Sequence, residues 1–259
     1  MIDPISAFVK WLTGVFETWG LSPGWSTFIM AVLAAGVIAV FVLVVDVFLV
    51  WVERKVVARF QDRLGPNRIG PFGLIQPFAD VIKLLIKEDI IPKGADKIVF
   101  NLAPILALAT VLALWAVIPM LPSLTGTDLN IELLYIVAIG AISTLGIIMA
   151  GWASNNKYAL MGAFRMVAQM VSYEVPMVIV LLVPVIVSGS MGMNQIVEQQ
   201  KVWNILLIPT AAFIFLTSAL AELGRAPFDM VEAESEIVAG FHIEYSGMKF
   251  GLFYAGELL

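Results

Sequence analysis

The chain has 259 residues, of which 60% are hydrophobic and only 14% charged, with a mean hydropathy of +0.95 and a formal net charge of -5. Such a composition excludes an ordinary soluble domain and gives no support to nucleic-acid binding. The absence of cysteine excludes disulfides and cysteine-ligated iron–sulfur or zinc sites, and a single histidine argues against a haem. We therefore expect an all-α integral membrane protein, a polytopic bundle of transmembrane helices without a metal site.

Long uncharged runs predict the membrane spans, because about 20 apolar residues cross a bilayer as a helix. Residues 1–20 form too short an apolar segment and predict an amphipathic N-terminal helix at the interface rather than a signal peptide. A sixth run begins near residue 248 and continues to residue 259, about half the length of a span. We expect one transmembrane domain, 1–259, whose C-terminal spans are missing. The five complete runs are 27–52, which Asp46 interrupts, 98–121, 133–153, 166–187, which Glu174 interrupts, and 203–221.

The distribution of basic residues predicts the orientation of these spans. With the N-terminus outside, the connections 53–97, 154–165 and 222–249 share one side and contain nine, two and two basic residues. The other side contains only Lys10 and Lys201. Because basic connections remain in the cytoplasm or the equivalent matrix, we predict that the three connections face that side.

The first connection combines charges, turns and a helical apolar pattern. It contains ERKVVARFQDRLGPNRIGPFGLIQPFADVIKLLIKE at 53–88, in which Gly65-Pro66 and Gly70-Pro71 predict turns. Apolar residues then recur at helical spacing opposite Asp80, which predicts a helix at the membrane surface. Judged by residue type alone, Arg54, Lys55, Arg59, Arg63 and Arg68 are better explained as anchors to lipid headgroups than as functional residues.

The third connection concentrates acidic side chains. Neighbouring carboxylates that are partly buried hold protons more tightly, so we predict that protons are shared among them. If the segment is helical, spacings of three and four residues place Asp229, Glu232 and Glu236 on one face. A solvated acidic loop is the alternative. The acidic residues are Glu222, Asp229, Glu232, Glu234, Glu236 and Glu244, beside Arg225.

Glu174 lies within the fourth predicted span, about nine residues and roughly 13 Å from its start. An acid near the midplane of a bilayer predicts a functional site, and Pro176 predicts that the helix opens locally beside it. The alternative is a protonated side chain that hydrogen-bonds between helices. Asp46 is a weaker candidate in the first span, and His242 is predicted to be structural.

Three stretches of the chain match known motifs, the first of them almost residue for residue. They are ERK, ARFQDRLGPNRIGPFGLIQPFAD and IKLLIKE in the first connection, GWASNNKYALMGAFRMVAQMVSYEVPM at 151–177, and AELGRAPFDMVEAESEIVAGFHIEYSGMKF at 221–250. In their order and spacing they resemble the quinone-chamber membrane subunit of respiratory complex I, the proton-pumping NADH:quinone oxidoreductase. The three stretches together cover about ninety residues, and the resemblance extends over nearly the whole chain.

The resemblance implies an eight-helix subunit at the junction between the redox arm and the proton-pumping arm, where it forms much of the quinone chamber. The implied substrate is quinone, while flavin and iron–sulfur clusters are implied only in partner subunits. The implied surroundings are membrane lipid, the other complex I membrane subunits and the peripheral-arm iron–sulfur subunits. The membrane is implied to be the bacterial plasma membrane or the mitochondrial inner membrane.

The resemblance also implies two groups of site residues. On either side of Glu257, which belongs to the second group, Gly256 and Leu258 stand where the family usually has alanine and an aromatic residue. The implied quinone chamber comprises Arg54, Phe60, Arg63, Phe78, Asp80, Arg225, Phe228, Asp229, Glu232 and Phe253. The implied proton-coupling acids are Glu174, Glu222, Glu234, Glu236 and Glu257.

Three other functions remain open from the sequence. The nearest is the homologous subunit of a membrane-bound hydrogenase or of a ferredoxin- or coenzyme-F420-dependent oxidoreductase. A stand-alone ion transporter would use Glu174 as its ion site, but the sequence has no inverted repeat of the kind that many transporters show. A pure membrane anchor would leave the cost of an intramembrane acid unexplained.

Overall fold

The computed structural model describes residues 12–16, 18, 20, 22–119, 126–225, 227–229 and 238–258, and the regular elements among them are all helical. The described residues 12–16 and 18 of the predicted N-terminal helix are helical, and most of that segment lies outside the described residues. The helices are α1 (Pro23–Phe60), α2 (Gln76–Ile86), α3 (Lys97–Leu114), α4 (Glu132–Ala153), α5 (Lys157–Ser188), α6 (Met193–Glu198), α7 (Asn204–Leu207), α8 (Pro209–Glu222) and α9 (Gly247–Leu258).

Four of these helices are long and apolar enough to cross a membrane, namely α1, α3, α4 and α5. They coincide with the first four predicted runs. Their apolar side chains are largely exposed, as expected where lipid rather than water is the solvent. The predicted all-α membrane fold is confirmed. α5 continues through Pro176 and Pro184 without ending, so the predicted local opening does not divide this helix.

The fifth predicted run, 203–221, is divided between α7 and α8. Ile208 between them has φ -134° and ψ 66°, because the ring of Pro209 keeps the preceding residue out of the helical region. α8 has 14 residues and is therefore about 21 Å long, less than the thickness of the hydrocarbon core. The structure therefore does not confirm a single membrane-crossing helix over 203–221.

The predicted surface helix after the glycine–proline turns is confirmed as α2. A 3₁₀ turn at Pro71–Gly73 precedes it, with left-handed backbone at Phe72 (φ 55°). Gly73 also has positive φ, and a Cβ atom there would lie 2.2 Å from the Pro66 carbonyl oxygen. The position of α2 at a membrane surface stays a prediction.

The core of the described residues lies where α3, α4, α5 and α9 meet. α3 packs along α4, α4 along α5, and α9 against α3. Small side chains such as Ala103, Ala150 and Ala163 are almost fully buried, and they allow close approach of the helices. Phe100, which is fully buried, fills the space between them and α9. These helices form the scaffold for the connections on one side.

Gly162 provides a test of this packing. A Cβ atom at this position on α5 would lie 2.7–2.9 Å from backbone atoms of Gly240 and Phe241, which have little freedom to move. We expect Gly162→Ala to destabilise the protein by about 1–3 kcal/mol, the usual cost of overpacking. The measurement is the temperature of half-inactivation of the purified assembly. Gly36→Ala is the control, because a Cβ atom there meets nothing within 4 Å; equal temperatures for both variants would contradict the expectation.

Candidate functional site

The three polar connections lie together on one side of the helices. Contacts between residues distant in the sequence join them, so the motif stretches form one folded unit. We call this unit, the described residues of 53–97, 154–165 and 222–249, the polar cap. Its joining contacts are the Asp96 N–H donating to the Ala153 carbonyl (3.1 Å), the Asn156 amide donating to Glu244 (2.7 Å), the ion pair Arg225–Glu53 (3.0 Å) and the ion pair Lys249–Asp89 (2.8 Å).

An ion pair joins α1 to the surface helix α2. The guanidinium of Arg54, near the end of α1, contacts the carboxylate of Asp80, and Lys83 lies 3.6 Å from the other Asp80 oxygen. The structure thus brings together two residues that the sequence assigns to the quinone chamber. Both side chains are partly exposed, at 41% for Arg54 and 25% for Asp80.

A second ion pair joins the neighbouring residue of α1 to the third connection. Arg225 donates to Glu53 at 3.0 Å, across 172 positions of sequence. Glu53 was not among the predicted site residues, although its place in the ERK motif beside Arg54 was the available signal. Successive residues of α1, Glu53 and Arg54, therefore form ion pairs with two different parts of the chain, Arg225 of the third connection and Asp80 of α2.

Gln169 holds the third connection against α5 and was also missed by the sequence analysis. Its amide group donates to the carbonyl oxygens of Ala221 (2.7 Å) and Phe228 (2.8 Å), and the side chain is only 8% exposed. The Phe228 ring lies edge to face with Tyr173, at 5.1 Å between centroids. An uncharged polar residue within an apolar helix was the signal in the sequence.

A cavity of about 280 Å³ lies between α3, α4, α5 and the end of α8, next to α9. Its wall is mostly apolar and includes Phe253, but the acids Glu222 and Glu257 also line it. Burial, and secondly the negative charge of Glu174 on α5, raise the pKa of the Glu222 carboxyl above its ordinary value. Three of the predicted proton-coupling acids are thus placed at or near one cavity.

Other predicted residues lie apart from this cavity or outside the described residues. Phe60 is 87% exposed at the end of α1, and Phe78 is half exposed on α2. Arg63 is exposed and donates to Gln61 at 2.6 Å, and Asp229 is exposed after Phe228. Glu232, Glu234 and Glu236 lie outside the described residues.

An aromatic cluster supports the start of α9 beside the cavity. Tyr245 stacks on Phe100 at 4.0 Å between centroids, and His242 packs edge to face against Phe241 and Phe250. Burial lowers the pKa of His242 below its ordinary value of 6.5 and raises the pKa of Tyr245. Both side chains are therefore neutral near pH 7, which agrees with packing as the main role of His242.

Glu132 is a fully buried acid that the sequence analysis did not select. It lies at the start of α4, at the end opposite the polar cap, and accepts N–H donors from Leu129 (3.3 Å) and Met193 (2.5 Å). A carboxylate at a helix N-terminus is favoured by the unpaired backbone N–H groups there. Glu132 therefore fixes the loop before α6 to α4. Among the described residues, no group of three or more His, Asp or Glu side chains is arranged to hold a metal ion.

Comparison with known proteins gives consistent matches. The sequence profile described as NADH dehydrogenase matches residues 32–259. The H subunit of NADH-quinone oxidoreductase from Dehalococcoides mccartyi (strain CBDB1) is 56% identical over 217 residues, which are 84% of this chain and 62% of that protein. The H subunits from Brevibacillus brevis and Rhodospirillum centenum are 49% and 50% identical, over 91% and 88% of this chain and 70% and 68% of theirs. The chain spans about 62% of the length of the Dehalococcoides relative.

Proposed function

Because this chain belongs to the NADH dehydrogenase family, we propose that it is a membrane subunit of a proton-translocating NADH:quinone oxidoreductase and forms its quinone-binding chamber. Its relatives are named as the H subunit of an NADH-quinone oxidoreductase. The membership also disfavours the stand-alone transporter and the pure membrane anchor. The observation that carries the proposal is the polar cap, in which three motif stretches with two arginine ion pairs lie directly against membrane-spanning helices.

A quinone needs an apolar path for its isoprenoid tail and hydrogen-bond donors for its head group. The end of α1 supports both requirements, because exposed apolar side chains of α1 and α2 adjoin Arg54 and Arg225. Negative charge develops on the quinone oxygens as they are reduced, and guanidinium groups stabilise such charge. Asp80 and Glu53 hold the two guanidinium groups in position. Residues Phe228 and Phe253 belong to the proposed tail path, and Phe60, Phe78, Arg63, Asp229 and Glu232 complete the proposed chamber.

Proton coupling is proposed for the acids that line or adjoin the cavity. Glu174, Glu222 and Glu257 lead from the interior of the helices towards the third connection, where Glu234 and Glu236 continue the series in the sequence. Carboxyl groups close to one another and away from water exchange protons when a nearby charge changes. Quinone reduction beside Arg225 would supply that change of charge.

The electrons for quinone reduction must come from partner subunits, because the chain has no cysteine for an iron–sulfur cluster. We propose that the peripheral-arm iron–sulfur subunits dock at the polar cap, and that flavin and clusters reside in those partners. The other partners are further membrane subunits of the complex. The membrane is the bacterial plasma membrane or the mitochondrial inner membrane, with the N-terminus outside and the polar cap in the cytoplasm or matrix.

Replacing Arg54 in the assembled complex tests the quinone site. A charge-assisted hydrogen bond contributes about 1.5–3 kcal/mol, so we expect Arg54→Ala to lower NADH-driven reduction of a short-chain quinone roughly 10- to 100-fold. Electron transfer from NADH to a soluble artificial acceptor, which reports on the partner subunits, should be unchanged. Arg59→Ala is the matched control, since Arg59 is an exposed arginine on the same helix end. Equal quinone reduction by the two variants would remove the end of α1 from the quinone path.

A further inference from the structure

Asp46 is a buried acid for which the proposed function has no role. It lies on α1, most of whose apolar side chains are exposed, but it belongs to a narrow buried stripe with Val42 and Val50. Its side chain is only 7% exposed, and its Oδ1 atom has no hydrogen-bond partner in the described part of the chain. The carboxyl group therefore faces protein rather than lipid, and no Lys or Arg side chain among the described residues forms an ion pair with it.

The position of Asp46 relates it to the polar cap. Glu53 follows seven residues later, which is two helical turns within about 20° and roughly 10 Å along the axis. Asp46 and Glu53 therefore lie on the same face of α1, with Val50 between them. α1 contacts α2 and α9. The guanidinium of Arg225, bound to Glu53, lies at the cap end of this face.

A carboxylate in this position would be poorly solvated. An ionised group buried without a partner is strongly disfavoured, and such a group binds a proton instead. The neutral acid has one O–H donor and can pass its proton through water to a carboxylate that has lost its cation. Glu53 is such a carboxylate when a reduced quinone competes with it for the guanidinium of Arg225.

We propose that Asp46 is an additional proton-exchange site of this chain, on α1 and separate from the acids around the cavity. At rest the carboxyl group holds a proton. When the ion pair Glu53–Arg225 is rearranged, the O–H bond of Asp46 breaks and the proton passes through water to the Glu53 carboxylate, which then has no cation beside it; the proton returns to Asp46 when the pair forms again. The inference rests on the proposed function, since quinone reduction is the event that rearranges the pair.

The first test is spectroscopic and does not depend on turnover. In the resting, fully assembled complex, we expect an infrared carbonyl band of a protonated carboxylic acid that Asp46→Asn abolishes. Asp62→Asn is the control, since Asp62 is exposed and has the left-handed backbone (φ 51°) that asparagine tolerates. Persistence of every such band in Asp46→Asn would show that Asp46 is ionised at rest and would overturn the proposal.

The second test is the number of protons transported per quinone reduced, measured in vesicles. We expect Asp46→Asn and Asp46→Leu to lower this ratio, while the Asp62→Asn ratio equals that of the wild type. An unchanged ratio in Asp46→Leu, or failure of both variants to assemble, would identify a structural acid and overturn the proposal. If the proposed function were wrong, quinone reduction would be normal in Arg54→Ala while the Asp46 band remained present. That result differs from the outcomes that overturn the Asp46 proposal alone.

Discussion

Replacement of Glu174 by glutamine is expected to abolish most proton transport while leaving the complex assembled. Glutamine has the shape of glutamate but carries no exchangeable carboxyl proton, so it removes the proton site with little change in packing. Positioned acids and bases contribute about 10²–10⁴-fold to proton transfer, and we therefore expect at least a tenfold fall in transport. Transport is measured as acidification or alkalinisation of sealed vesicles during NADH-driven quinone reduction.

The structural basis for this expectation is that burial, and secondly the negative charge of Glu174, raise the pKa of the Glu222 carboxyl above its ordinary value. If the two acids act in one path, Glu222→Gln should cause a similar loss, and the double variant should be no worse than either single one. Glu198→Gln is the control, because Glu198 is an exposed acid at the end of α6, away from the cavity. Wild-type transport in Glu174→Gln would exclude this acid from proton coupling.

The sequence predicted the helices well because a bilayer allows few structures. Backbone polar groups must be paired within lipid, so a long apolar run has to be a helix, and α1, α3, α4 and α5 follow that rule. The same rule does not determine where a helix ends. α1 continues eight residues past the predicted run, to Phe60, and carries Glu53 and Arg54 out to the cap. Pro209 divides the fifth run. A proline indicates a helix boundary in the sequence, but hydropathy alone ignores it.

The resemblance proposes members for the candidate site, and those stay predictions, but it gives no indication of which of them pair. Motif resemblance selected Arg54, Asp80 and Arg225, because each lies in a recognisable stretch of sequence. The partner of Arg225 is Glu53, which is 172 positions away, and no spacing rule connects residues that tertiary packing alone brings together. Gln169 was missed for a related reason, since its two acceptors are backbone carbonyls that any sequence would provide.

Exchange of the charges of Arg225 and Glu53 should separate their structural role from a role in quinone binding. Arg225→Glu alone places two carboxylates opposite each other, and Glu53→Arg alone places two guanidinium groups there. Each single variant should reduce the yield of assembled complex. The double variant restores an ion pair between the third connection and α1, so we expect assembly close to that of the wild type.

Quinone reduction should behave differently from assembly in the same double variant. If the Arg225 guanidinium binds the quinone head group, moving the positive charge onto α1 displaces the donor, and turnover should remain roughly 10- to 100-fold low. Exchange of Lys249 and Asp89, another ion pair of the polar cap at 2.8 Å, is the matched control and should leave turnover unchanged. Full recovery of turnover in the Arg225 and Glu53 double variant would mean that the pair only fastens the third connection to α1. The quinone head group would then depend on Arg54, whose own pairing with Asp80 the exchange leaves intact.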